Sequence, residues 1–153
     1  MPEQDPEQDK SSSFSDWCED YRVDVQRMDK QHQSLFAALH ALHDVLTSHG
    51  DAALIDKYLS DLIRQTRIHF HTEEEFMQAH DYPDYEHHKE IHDLLISQVE
   101  DLLAAQQSLE SSSFQQSWVE KMEIADFLHA WLVEHIVNED KKLGAFLSEQ
   151  GVK

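Results

Sequence analysis

The chain has 153 residues, 40% of them hydrophobic, and a formal net charge of -19. That is enough for one domain with a real core, and the charge argues against nucleic acid or an anionic membrane surface as partner, because phosphates would be repelled. Three glycines and three prolines are too few for many strands joined by tight turns, so the chain reads as long helices with few connections. No apolar run approaches the roughly 20 residues needed for membrane insertion. The single cysteine, Cys18, cannot pair internally, which fits a reducing, cytoplasmic setting.

Residues 1–15 are polar and low in complexity, without an apolar segment behind a positive start, and are expected to form a disordered acidic, Ser-rich tail. One domain is expected over 16–150. Trp17 to Asp29 reads as an extended arm anchored by Trp17, Tyr21, Val23 and Val25. From about Lys30 the pattern turns helical, with His32, Leu35, Leu39, Leu42 and Leu46 on one face, and Ser48-His49-Gly50 ends it. A second helix begins near Asp51 and carries Leu59, Leu62, Thr66, His69, Glu73 and Met77 along one side until Tyr82-Pro83-Asp84 breaks it. The third places His88, His92, Leu95, Val99 and Leu102 in register, and Ser111 to Ser113 marks the next connection. The fourth aligns Ile124, Leu128, Trp131 and His135 and ends near Asn138 to Lys142, leaving a short apolar stretch, Leu143 to Leu147, to pack back. Short connections make neighbouring helices antiparallel, so the expected fold class is an all-α, up-down-up-down four-helix bundle with an N-terminal arm.

Twelve histidines are the anomaly, since imidazole is a common ligand for transition metals. Spacing alone is weak evidence in so acidic a chain: His40 with Asp44 and His71 with Glu75 are i,i+4 pairs that chance supplies. Helical phase separates them. His71 shares a face with Arg64 and Arg67 and reads as solvent-facing, whereas His69 and Glu73 continue an apolar stripe. The same test selects His32, His88, His92 and His135, and leaves His40, His43, His49, His80, His87 and His129 to the surface or to partial burial. A lone inward histidine is more often a hydrogen-bonded core residue than a ligand. Here the selected residues fall at the start, end, start and end of successive antiparallel helices, which all meet at one end of the bundle. Burying them without compensation would cost several kcal/mol, and a metal removes that cost.

The segments Met28-Asp29-Lys30-Gln31-His32, His69 to Met77, Tyr82-Pro83, His88-x3-His92, Trp131 to Ile136 and Asp140 together resemble the hemerythrin family, over about Trp17 to Leu147. The resemblance implies two Fe ions bridged by an oxo or hydroxo group. His88, His92 and His135 would bind one iron, His32 and His69 the other, with Glu73 and Asp140 bridging. Asp140 is the one assignment that periodicity does not make: at i+5 from His135 it is rotated about 140° around an ideal helix, and Glu139 would align better. The family assignment therefore requires a π-type widening between His135 and Asp140. Where the family often has an aromatic residue after the bridging aspartate, this chain has Leu143-Gly144.

The resemblance also implies reversible dioxygen binding at the iron with two histidines, which is left one ligand short. Two ferrous ions, two carboxylates and a hydroxide carry the same net charge as two ferric ions, two carboxylates, an oxide and a hydroperoxide, so the electron transfer leaves no new charge in an apolar site. Leu35, Phe70, Trp131 and Ile136 are the expected pocket walls, with ordinary core packing as their second role. The implied activity is carriage, storage or delivery of dioxygen by a monomer or weak oligomer, and not enzymatic turnover. The alternatives are an oxygen or redox sensor, or a di-iron enzyme with peroxidase or nitric-oxide chemistry. A ferritin-like oxidase fits less well, because that group takes four carboxylates and two Glu-x-x-His motifs.

Overall fold

The structure, a computed structural model, describes residues 16–48, 50–107 and 114–153. The expected tail over 1–15, His49 and the Ser111 to Ser113 connection lie outside the described residues. Four long helices form the bundle: α1 (Gln26–Thr47), α2 (Ala52–Ala79), α3 (Tyr85–Gln107) and α4 (Phe114–His135). A short α5 (Lys141–Glu149) follows α4 through a π-helical turn, Ile136–Asp140. The helices pack in a ring, α1 against α2 and α4, and α3 against α2 and α4. The core is built from the expected stripes: Leu35, Leu39, Leu42 and Leu46 of α1, Leu59 and Leu62 of α2, Leu95 and Val99 of α3, and Ile124 and Leu128 of α4 are all buried. No described helix is long and apolar enough to cross a membrane.

Two expectations need correction. The first helix starts at Gln26, not near Lys30, and the arm before it holds a 3-10 turn, Glu19–Tyr21. Met28, four residues before His32 on the same stripe, is fully buried, and the Asp29 carboxylate accepts the Val23 N–H at 2.8 Å, which stabilises the earlier helix start. Asp24 turns the chain with φ 65°, a conformation that Asp tolerates better than most side chains. At the far end, Leu102 is 40% exposed and so lies outside the buried stripe that Leu95 and Val99 form on α3.

The other boundaries follow local chemistry. Asp51 caps α2 by accepting the Ala53 N–H at 2.9 Å, which satisfies one of the helix's free donors. The end of α2 is a left-handed stop: Asp81 has φ 49°, and the Tyr82 N–H reaches back to the Met77 carbonyl at 2.9 Å. Val23 and Val25 are buried, as the arm requires, and the Tyr21 ring stacks on Phe36 at 5.3 Å. Gly144 makes this docking feasible. A Cβ there would stand 2.2 Å from the Val23 carbonyl oxygen, so the arm occupies the place of any side chain at this one position of α5. Leu143 and Leu147 are buried, which fixes α5 onto the bundle.

Candidate metal centre

Each long helix brings chemistry to one end of the bundle. His32 comes from the start of α1, His69 and Glu73 from the latter part of α2, His88 and His92 from the start of α3, and His135 from the last residue of α4. Asp140 closes the π turn. All seven side chains are buried, with His88, Glu73, His32 and Asp140 at 0% exposure. They form two overlapping groups, in each of which the ligand atoms lie within 4.8 Å of one another: Glu73, His88, His92, His135 and Asp140, and His32, His69, Glu73 and Asp140. The two carboxylates belong to both groups.

The geometry inside the cluster is that of converging lone pairs. Asp140 directs Oδ2 to His32 Nε2 at 3.0 Å and Oδ1 to the Nε2 atoms of His88 and His135 at 3.2 and 3.1 Å. Glu73 Oε1 lies 2.9 Å from His69 Nε2 and 3.5 Å from His92 Nε2, and His92 and His135 bring their Nε2 atoms within 3.1 Å of each other. These are not hydrogen bonds for the most part: Nε2 of His32, His69 and His88 and both oxygens of Glu73 and of Asp140 are buried without a hydrogen-bond partner. So many orphaned acceptors at one place would be very unfavourable on their own. Separations near 3 Å between donors are what neighbouring ligands show around a cation when each bond is roughly 2.0–2.2 Å long. The donor set therefore fits a metal centre.

Two histidines reveal which nitrogen faces inward. The Gln31 amide donates to Thr72 Oγ1 at 3.1 Å, and Thr72 donates to the Ile68 carbonyl. That fixes the Gln31 oxygen toward His69 Nδ1 at 2.7 Å, so Nδ1 carries the proton and Nε2 keeps its lone pair for the interior. His92 Nδ1 in the same way faces the Glu74 carboxylate at 3.1 Å. Aromatic faces hold the rings from the side. Phe70 stacks flat on His92 at 3.8 Å and Trp131 stacks on His135 at 4.4 Å. Phe70 also lies tilted 6.1 Å from His69, so its ring meets a histidine of each group. Leu35 and Ile136 are buried on the elements that carry His32 and Asp140, while Trp131 is half-buried.

Burial sets the electrostatics. It pushes the Glu73 carboxyl well above the usual carboxylate range, and the charge of Asp140 adds to the effect. Burial would raise Asp140 too, but His135, then His32 and His88, outweigh it and hold this carboxyl well below its ordinary value. Burial, reinforced by His32, drives His69 well down, and burial lowers His135 despite Asp140. Neutral imidazoles around carboxylates, one of which resists ionising, make a site that a cation would complete.

The residues left outside are equally informative. His71 is exposed and paired with Glu75 at 3.1 Å. His40 contacts Asp16 at 3.0 Å. Glu139 stands apart from the cluster, in an outer group with Asp84 and His87. His129 is buried, edge-on to Phe36 at 6.0 Å, because α4 packs a wider arc than its apolar spacing implies. Gln31 and Glu74 carry no signal in the periodicity. Their position beside His32 and Glu73 in the chain is the one clue, and the histidines that they support belong to other segments.

An all-α bundle closed at one end by a buried histidine–carboxylate cluster defines a class of cation-holding protein. The chain belongs to the hemerythrin family: the family model for the hemerythrin HHE cation binding domain matches residues 23–147. It is 33% identical over 129 residues to the bacteriohemerythrin of Methylococcus capsulatus, spanning 84% of this chain and 92% of that one. The bacteriohemerythrin of Stenotrophomonas maltophilia is 29% identical over 82% of this chain and 76% of its own. Among solved structures, wild-type hemerythrin superposes with a TM-score of 0.74 at 31% identity, covering 90% of this chain and 99% of that chain.

Proposed function

We propose that this protein binds dioxygen reversibly at a non-heme di-iron centre, as a carrier or store and not as an enzyme. The observation that carries the reading is the inequality of the two groups: Glu73 and Asp140 are common to both, but three histidines complete one and two the other. His88, His92 and His135 would hold one iron, His32 and His69 the second, and the two carboxylates would bridge. When bound, the pair of irons would supply the electrons and the affinity for dioxygen.

The chain supplies everything else. Gln31 and Glu74 fix the tautomers of His69 and His92, so the inward nitrogens meet the cations as neutral donors. Leu35, Phe70, Trp131 and Ile136 would form the apolar wall, which keeps water and protons from the bound oxygen and so favours its release unchanged. Neutral histidines outnumber the carboxylates in the cluster, and so neutral a ligand set stabilises highly oxidised iron less than a carboxylate-rich one would. That supports binding over oxidation chemistry. Dioxygen is the partner that this reading requires, with delivery to an oxygen-consuming protein as one use and the cytoplasm as the compartment.

The test is a cycle of absorption spectra. Anaerobically reduced, iron-loaded protein should be colourless, develop charge-transfer bands on exposure to air, and lose them again when oxygen is removed. Bleaching that is irreversible, or turnover of an added peroxide or nitric oxide, would instead mark an enzyme.

A further inference from the structure

The Nδ1 atoms of His32, His88 and His135 are buried without a hydrogen-bond partner. His69 and His92 differ from them: each is held from outside, and one belongs to each group. The two supports are unlike. His69 Nδ1 meets the neutral Gln31 amide at 2.7 Å, whereas His92 Nδ1 meets the Glu74 carboxylate at 3.1 Å. Behind Glu74 the charges alternate. Its other oxygen lies 3.5 Å from Lys89 Nζ, and Lys89 is shared with both oxygens of Asp93 at 2.9 and 3.0 Å. Glu74 is 18% exposed and lines a groove of about 300 Å³ with Arg67, Phe70, His71 and Asp93, so it links the buried cluster to the surface.

We infer that Glu74, balanced by Lys89, is a positioning residue that makes the three-histidine half of the centre the more electron-rich. A carboxylate accepting the Nδ1 proton raises the basicity of Nε2 and makes the imidazole a stronger donor to a metal, which favours the more oxidised ion. An amide does this more weakly, so His69 is oriented without the same electronic effect. Lys89 moderates the carboxylate by drawing on its second oxygen. The residues thus distinguish the two halves by charge as well as by ligand number. The inference rests on the di-iron reading above.

The test uses the full chain loaded with ferrous iron, its midpoint potential measured by mediated spectroelectrochemistry and its iron retention measured against a chelator. Glu74→Gln keeps an acceptor for Nδ1, so iron should stay bound while the reduced state is favoured about tenfold, a rise of about 59 mV for one electron. Lys89→Met frees the carboxylate and should move the potential the opposite way. Glu74→Ala should weaken iron retention roughly 10–100-fold, and Glu74→Gln should restore it. A merely structural Glu74 would leave the potential unmoved in the Gln and Lys89 variants, or shift both in the same direction, and either result overturns the inference. Wild-type protein that binds no iron would overturn the di-iron reading itself, a different result from a loaded protein indifferent to Glu74.

Discussion

Nε2 of His135 and Oδ1 of Asp140 lie 3.1 Å apart although five residues separate them in the chain. An α-helix would turn Asp140 away by about 140°. Here the Lys141 N–H bonds to the Ile136 carbonyl, five residues back, and the turn Ile136–Asp140 is π-helical. The extra residue swings Asp140 into the cluster and leaves Glu139 outside it. Asp140→Ala should therefore abolish retention of both irons, while Glu139→Ala should keep both, as read by iron content after gel filtration. Deleting Asn138 should remove the π turn and leave Asp140 four residues after His135, the spacing that an α-helix aligns, so iron should stay bound. Iron retained by Asp140→Ala would refute the bridging role.

Much of this architecture is legible in the chain because burial imposes a period. His69 and Glu73 stand on the same stripe as Leu62 and Met77, so phase alone marks them as inward and sets His71 aside. Topology then gathers His32, His88, His92 and His135 at the same end. Asp140 is invisible to that method, since a π turn breaks the very period on which it depends. Gln31 and Glu74 are hidden for another reason: each contacts a histidine of a different helix, and such contacts leave no local pattern. The early start of α1 is marked by Met28, four residues before His32 on the same stripe, but the alternation of Val23 and Val25 masks it by reading as extended chain; a side-chain bond, Asp29 to Val23, stabilises it.

Glu73 separates metal binding from stability. Its two oxygens are buried without partners, and burial raises its carboxyl well above the normal range. Glu73→Gln should cost the protein its iron. The metal-free variant should nevertheless melt no lower than metal-free wild type, and up to about 1–3 kcal/mol more stably, because an unsatisfied ionisable group has been removed. Chelating iron from wild type should lower its melting temperature by exposing that same deficit. Calorimetry on the three samples decides it: a metal-free Glu73→Gln protein less stable than metal-free wild type would show that Glu73 supports the fold directly.

At Gly144 the constraint is backbone against backbone. The Val23 carbonyl oxygen would be 2.2 Å from a Cβ at this position, and a carbonyl cannot rotate aside as a flexible side chain can. Gly144→Ala should push the arm off α5 and cost about 1–3 kcal/mol. Thermal unfolding should show the loss, and limited proteolysis should cut near Asp24 faster than in wild type. Shortening Val23 should not rescue the variant, because the clash is with the main chain. Unchanged proteolysis would mean that the arm accommodates the methyl by a shift of the helix.

Phe70 is the side chain that covers the cluster beneath the surface groove. It is 3% exposed, stacks on His92 at 3.8 Å and packs 5.6 Å from Trp131, and it lines the same groove as Arg67 and Glu74. A flat ring there both aligns His92 and excludes water. Phe70→Leu keeps apolar volume but loses the stacked face, so iron should remain bound while water gains access. The oxygenated form should then decay about tenfold faster, equivalent to roughly 1.4 kcal/mol off the barrier, as followed by the loss of its charge-transfer absorption. Phe70→Tyr should decay at nearly the wild-type rate if stacking is what matters. A Leu variant as long-lived as wild type would place the water barrier elsewhere, in Leu35 or Ile136, and the same assay on Ile136→Ala would then locate it.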